Sequence, residues 1–302
     1  MDAKQVWPLI HETMVAFAPF YRSTMQEAIR TWELPDNWFP LSLARGAHPA
    51  PLSLYRYHDL TPYTARAQCA QALERLAGLA LLERVGPDAY RLTDVGREAL
   101  DDVFGAAHAG LADVHPLPEE ALRPLNALLS RLVAATLEAP EPQEKWAIVY
   151  SRWTDPGAGA TGSVVTDQYL TDLLRFRDDA HMAAWKPYGV SGHAWEALTF
   201  LWRDQAHAAK ALAEQLSFRG HSPEAYAQAL AGLADRGWVQ VTSDGYQITE
   251  QGRTLRQRAE DATDHYFFAP WADLSGSEID QLGALLTRLR DHLQSMVEAN
   301  ED

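Results

Sequence analysis

The chain repeats itself, and that repeat limits its architecture more than any other feature. AYRLTDVGREAL at 89–100 returns as GYQITEQGRTLR at 245–256, so that Tyr90, Thr93, Gly96 and Arg97 recur as Tyr246, Thr249, Gly252 and Arg253, 156 residues on. AQAL at 70–73 returns at 227–230, and LNALLSRL at 125–132 returns as LGALLTRL at 282–289, both 157 residues on. Three blocks in one order at nearly one spacing point to a duplicated unit, with the one-residue differences in turns, where insertions are tolerated. The proline- and glutamate-rich EAPEPQE at 138–144 marks the join. We therefore read residues 1–141 as a first copy and 142–302 as a second copy with an aromatic-rich leading segment, which suits a chain of 302 residues.

Each copy has the same order of elements. In the second, Ser222-Pro223-Glu224 is a helix start, with an N-cap serine, a proline at the first position and an early acid. Tyr226, Leu230, Leu233 and Trp238 follow near helical spacing, and Gly237 supplies the stop. VQVTSDGYQIT reads as two strands about a Ser-Asp-Gly turn. A long helix runs from Glu250, and a last one opens on the capping-box pattern Ser275-x-x-Glu278. The first copy repeats helix, hairpin and long helix, with Pro124 predicted to kink its last helix. The predicted fold is mainly α with small β-hairpin wings: tandem winged helix-turn-helix repeats that form a pseudo-dimer. Trp7, Ile10, Met14, Phe17 and Tyr21 lie at helical spacing and predict a packing face near the N-terminus.

The strand-to-helix phrase LT-x-x-GR, here Leu92-Thr93-Asp94-Val95-Gly96-Arg97 and Ile248-Thr249-Glu250-Gln251-Gly252-Arg253, resembles the MarR-type winged helix over some eighty residues of each copy. NWFPLSLARGAHPAPLS at 37–53, LLRFRDDAHMAAW at 173–185 and the stretch from Thr249 to Trp271 resemble the SalK-like winged-helix proteins over most of the chain. The first resemblance implies a small-molecule-responsive regulator; the second supports the fold and hardly the function. The wings depart from the MarR pattern. Their tips, residues 85–89 and 242–245, lack the basic residue that such a family sends into the minor groove.

Charge bears on partners. The net charge of −15 and pI of 5.1 exclude a uniformly basic coat for nucleic acid or membrane, though not a local patch. Phosphate contacts need Lys or Arg. Residues 61–84 carry Arg66, Arg75 and Arg84 against Glu74 and Glu83, and residues 218–241 carry Arg219 and Arg236 against Glu224 and Asp235. Residues 241–253 set Arg253 against Asp244 and Glu250. Duplex DNA is thus expected to bind weakly. Its candidate contacts are Thr64, Arg66, Gln68 and Gln71, early on the recognition helix of the first copy; the same residues also suit a plain solvated face.

Residues 146–202 hold Trp146, Trp153, Trp185, Trp195 and Trp202. Such density suits either a core or a pocket for a flat ligand. On the pocket reading, Trp153, Trp185, Trp195 and Trp202 line it. Arg177 and His181, four apart on one helix face, hold the acid group of an aromatic small molecule, Asp179 orders the chain, and Arg45 is the matching cation in the first copy. On the structural reading these are helix-end ion pairs, caps and packing. The glycine-rich stretch 155–163 lacks the lysine and serine of a phosphate loop and reads as a flexible loop.

Other chemistry is thin. No histidine pair has metal spacing, no G-x-S-x-G is present, and no cofactor is called for. His48, His58, His181 and His193 would make a metal site only if folding brought them together. Cys69 stands alone, which excludes an intrachain disulfide, and looks buried and inert. No apolar run has the length of a membrane span, and Lys4, His11 and Glu12 interrupt any signal-peptide pattern, so a cytoplasmic location is expected. The sequence favours a small-molecule-responsive winged-helix regulator with weak or reduced DNA binding. The alternative is a winged-helix protein that has lost DNA binding and serves as a ligand-binding or protein-interaction module, with an enzyme a distant third.

Overall fold

A computed structural model describes residues 1–157, 160 and 162–301. Ala158, Gly159 and Thr161 of the glycine-rich stretch lie outside the described residues. Up to residue 141 the elements are α1 (Ala3–Thr31), α2 (Phe39–Ala47), β1 (Leu52–Ser53), α3 (Leu54–Leu60), α4 (Arg66–Gly78), β2 (Leu82–Gly86), β3 (Ala89–Leu92), α5 (Asp94–Ala112) and α6 (Glu119–Glu138). After it come α7 (Trp146–Ser151), α8 (Gly162–Trp185), α9 (Gly192–Trp202), α10 (Ala209–Gln215), α11 (Pro223–Asp235), β4 (Val239–Thr242), β5 (Gly245–Ile248), α12 (Glu250–Phe268) and α13 (Gly276–Glu301). The chain is mainly helical with small antiparallel sheets. Among the described residues no helix is long and apolar enough to cross a membrane.

The element boundaries keep the offset of the sequence repeat. α4 and α11 start and end 157 residues apart, at 66 and 223 and at 78 and 235. α5 and α12 start and end 156 residues apart, at 94 and 250 and at 112 and 268. The missing residue falls in the hairpin, as a turn insertion should. β2 pairs with β3 through a five-residue strand that is irregular between Arg84 and Gly86, whereas β4 and β5 close on a two-residue turn with Thr242 opposite Gly245. Gly245 has φ +124°, a conformation that favours glycine.

Local signals explain the element ends. Asp2 and Gln5 form a capping box at α1, Ser222 accepts from the Ala225 N–H at α11, and Ser275 and Glu278 bond reciprocally before α13. Pro124 lies inside α6. The LT-x-x-G phrase works through its threonine and its glycine. Thr93 donates its hydroxyl to the carbonyls of Ala80 and Leu81, and Thr249 donates to Gly237, so each long helix is fastened to the end of its recognition helix. A Cβ on Gly252 would stand 2.1 Å from the Trp238 carbonyl oxygen, which is why only glycine fits there.

The chain folds into two compact units that do not follow its order. One comprises Met1–Leu34, Asp94–Ala180 and Asp264–Asp302; the other comprises Pro35–Thr93 and His181–Thr263. Each unit therefore draws on both sides of residue 141. In the first unit α1 packs along α5 and α13. Ile10 and Phe17 are buried, with Trp7, Met14 and Tyr21 packed against the same core, as their spacing predicts. That core also takes Leu125, Leu129 and Leu132 of α6 and Leu282, Leu286 and Leu289 of α13, the two copies of the leucine block.

The second unit holds both pairs of short helices with their hairpins, residues 54–92 and 209–248. Its three-stranded sheet has the order β1-β3-β2, with Leu52 opposite Tyr90 and Leu82 opposite Leu92. The β4–β5 sheet has a trace of the same third strand: the Tyr246 N–H donates to the His207 carbonyl at 2.8 Å. Tyr246 stands 156 residues after Tyr90, and His207 stands 155 after Leu52. Trp185, Trp195, Leu198, Tyr226, Leu230, Leu233 and Ile248 form a core around the second motif.

Candidate nucleic-acid interface

Each motif has two helices joined by a turn, then a hairpin. In the first, Thr61 bonds back to the Tyr57 carbonyl through both its N–H and its hydroxyl, ending α3, and α4 begins after Ala65. Ala65 is a poor N-cap with no side-chain acceptor. Its own N–H donates to the carbonyl of Arg219 at 2.8 Å, and Gln68 Nε2 donates to the carbonyl of Phe218 at 2.7 Å. His221 Nε2 lies 3.0 Å from the Tyr63 carbonyl. The starts of the two recognition helices, α4 and α11, are therefore hydrogen-bonded to each other's leading turns.

This contact redistributes the residues expected to meet DNA. Thr64 is buried, and Gln68 is engaged by Phe218. Arg66 and Gln71 remain exposed on α4, with Arg66 3.6 Å from Asp88 in the wing. Of the four expected residues, Arg66 and Gln71 are exposed, Gln68 is half-buried and bonded to Phe218, and Thr64 is buried. Further along α4, Glu74 binds Arg84 at 2.8 Å and accepts from the Tyr90 hydroxyl at 2.6 Å. Arg84 also donates to the Gly86 and Pro87 carbonyls, so this cation serves its own wing.

The second motif offers less positive charge. Arg219 pairs with Glu196 at 2.9 Å and lies over the rings of Tyr63 and Phe218. Arg236 donates to the carbonyls of Tyr188 and Gly189 and covers Trp238. The outer face of α11 presents Ser222, Glu224, Gln228 and Asp235, and the second wing exposes Val241.

The residues proposed to bind a small acid do not share one compact unit. Trp153, Arg177 and Asp179 belong to the first, and Arg45, His181, Trp185, Trp195 and Trp202 belong to the second. Trp153 is exposed. Arg177 pairs with Asp264 at 3.0 Å, above Trp7 and Phe267, so the cation expected to take a ligand already has a protein carboxylate. Asp179 accepts from the N–H groups of Ala147 and Ile148 and caps α7; burial pushes its carboxyl up to about 7, against those two bonds. Trp185 and Trp195 are buried and stacked at 5.7 Å. His181 lies 3.5 Å from the Thr263 hydroxyl, and Arg45 is half-buried on α2.

Sequence reasoning missed the cation that the tryptophans do enclose. Arg256 is 1% exposed, lies 5.1 Å from the Trp195 ring and 4.8 Å from the Trp202 ring, donates to Thr199 and pairs with Glu260. Two tryptophans seven apart on α9 and an arginine at the register of Leu100 were the available signals. His193 and His221, stacked at 4.2 Å beside the α4–α11 contact, were also missed as a pair. Burial pushes His193 down to about 4 and lowers His221 as well, so both are neutral at pH 7. Among the described residues no three His, Cys, Asp or Glu side chains are placed to hold a metal ion.

A model of a helix-turn-helix family matches residues 168–298, which run from α8 through α11 and its hairpin into α13. Residues 168–298 carry a helix-turn-helix domain. This is the same segment in which a capped recognition helix, a short hairpin and a threonine-fastened long helix follow one another. No curated protein and no solved structure matches the chain.

Proposed function

We propose that the protein is a duplicated, MarR-type winged-helix regulator with weak DNA binding, responsive to a small molecule. The observation that carries the weak binding is the hydrogen bond from Ala65 to Arg219. A two-motif reader places the base-reading starts of its recognition helices about 34 Å apart, one turn of duplex. Here Arg219 is bonded to the start of α4 and only three residues precede the N-cap of α11, at most about 10 Å of chain. Two helices so tied cannot enter successive major grooves. The pairing of Arg84 with Glu74 and of Arg219 with Glu196 supports the same reading, since a cation already held by a carboxylate displaces fewer counterions. The offset of α4 and α5 from α11 and α12 supports duplication. This reading assigns no catalytic step and no cofactor.

The test is fluorescence anisotropy of random-sequence duplex titrated with the full chain over a range of salt. The expected result is weak affinity with a shallow salt slope, and a larger loss on Arg66→Ala than on any wing substitution. A tight complex whose slope reports on the order of six or more phosphates would overturn it and restore an ordinary repressor. No binding even at low salt would favour the module that has lost DNA contact.

A further inference from the structure

Two imidazole rings close the contact between the starts of α4 and α11. His193 on α9 and His221 in the turn before α11 are stacked, with ring centroids 4.2 Å apart and planes 26° from parallel. His221 Nε2 lies 3.0 Å from the Tyr63 carbonyl oxygen, in the turn that leads into α4. A carbonyl only accepts, so Nε2 carries the proton of the neutral ring and Nδ1 is the atom left to take a second one. Gly192 brings His193 to the same turn: a Cβ there would stand 2.2 Å from the Pro62 carbonyl oxygen. Both rings meet Tyr226 of α11 edge-on, at 6.0 and 5.7 Å. The Ala65–Arg219 and Gln68–Phe218 bonds lie in this seam.

The surroundings suit neutral rings. His58 of α3 opposes a charge on either ring, and Arg219 opposes one on His221. The carboxylates on the elements packed here are committed elsewhere. Asp59 of α3 pairs with Arg56 and Lys186, Glu74 of α4 with Arg84, and Glu196 of α9 with Arg219, while Glu224 of α11 bonds the Ser222 hydroxyl. Arg66 of α4 pairs with Asp88, and Arg75 and Asp235 stand at the far ends of α4 and α11. A proton added to either ring thus meets cations and aromatic edges rather than a free carboxylate.

We propose that the stacked pair is an acid-operated latch. Neutral, it holds the turn before α11 against the turn before α4; protonated on both rings, it drives the two apart and frees the starts of the recognition helices. The protons come from solvent, and His221 takes its own at Nδ1. Rings held below their ordinary value favour the closed seam while neutral, and that preference is lost as pH falls below about 6.5. The latch acts on the contact that carries the weak-binding reading, without depending on DNA.

The test is hydrogen exchange of single amides in the full chain, without DNA, at pH 7 and pH 5, corrected for intrinsic rates. The Ala65 amide is bonded across the seam, and the Thr93 amide, bonded to the Leu81 carbonyl within the first motif, is the reference. With His193 at about 4 in the closed seam and near 6.5 in the open one, protection of Ala65 should fall about twentyfold between the two pH values. Protection of Thr93 should change much less. His193→Phe keeps a stacked ring that cannot titrate, and His221→Gln keeps a donor for the Tyr63 carbonyl. Each should shrink the fall at Ala65, and the double variant should abolish it; His193→Gln replaces His193→Phe if the phenyl ring does not pack. An unchanged fall in the double variant, no fall in the wild-type chain, or an equal fall at Thr93, the mark of global unfolding, would each overturn the proposal. Failure here leaves weak DNA binding at neutral pH standing, and failure of the DNA titration leaves the latch standing.

Discussion

The two helix-and-hairpin motifs, at 54–112 and 209–268, share a spacing of elements and differ in what fills it. Thr93 and Thr249 fasten their long helices to equivalent carbonyls, yet the buried Leu100 of the first motif corresponds to the buried Arg256 of the second. Phe104 corresponds in turn to Glu260, the partner of Arg256. The chain leaves α4 through Ala80 at φ 57° and leaves α11 through Gly237 at φ 74°. α11 caps itself with Ser222, whereas α4 starts on Ala65 and takes its bond from Arg219. The difference teaches that one register accepts an apolar side chain alone, or a cation only when a carboxylate and two aromatic faces come with it.

Exchanging those fillings should break the equivalence most severely. Leu100→Arg places a cation at a buried position whose register partner is Phe104, and should cost about 4 kcal/mol. Arg256→Leu strands only the part-exposed Glu260 and should cost about 2 kcal/mol. Urea denaturation of both variants checks the ranking; equal losses would mean that the two sites are not alike in burial. Next in size, Gly252→Ala should cost about 3 kcal/mol, because the new methyl meets the rigid Trp238 carbonyl and Ile248. Gly232→Ala, on open helix surface, should instead stabilise by about 0.5–1 kcal/mol.

The two compact units should also part in their response to pH. Burial lowers His193 to about 4, and burial raises Asp167, in the first unit, to about 7. A histidine depressed in the fold favours the folded state while neutral, and that contribution is lost as pH falls from its unfolded value near 6.5 towards 4. A carboxyl raised in the fold acts oppositely: stability is gained as pH falls from about 7 towards its unfolded value near 4. Hydrogen exchange at pH 5, corrected for intrinsic rates, should therefore show α11 loosened relative to α8, and Asp167→Asn should stabilise at pH 8 by about 1 kcal/mol. Parallel behaviour of the two helices would contradict the assignment. The smallest expected effect lies at the α4 exit. Ala80→Gly should stabilise by about 0.5 kcal/mol, relieving left-handed strain, while Gly237→Ala should destabilise by about 1 kcal/mol.

Much of the fold was legible because its signals are local. The Ser222 cap, the Ser275–Glu278 box, the Thr242–Gly245 turn and the apolar stripe of α1 each depend on residues within a turn or two of one another. The candidate site was much less legible. Arg66 and Gln71 face outward as their helix positions imply, but Thr64 is buried and Gln68 is held by the Phe218 carbonyl. The partner of Gln68 lies 150 residues away, and no periodicity carries that distance. The sequence left Arg177 open between a ligand contact and an ion pair, because its partner, Asp264, sits on another helix.

The sequence by itself determined the order of the helices and hairpins, their repeated spacing, and the glycine and threonine that fasten each hairpin to its long helix. These follow from backbone geometry and short-range hydrogen bonds, which repeat wherever the pattern repeats. The tertiary structure alone decided how the chain divides into compact units, which arginines are neutralised, and that the recognition helices meet at their starts. Those outcomes depend on which buried donor finds which acceptor across long stretches of chain. The Ala65 N–H bonded to the Arg219 carbonyl is such a pairing: a backbone contact, blind to side-chain identity, that leaves no mark in the sequence.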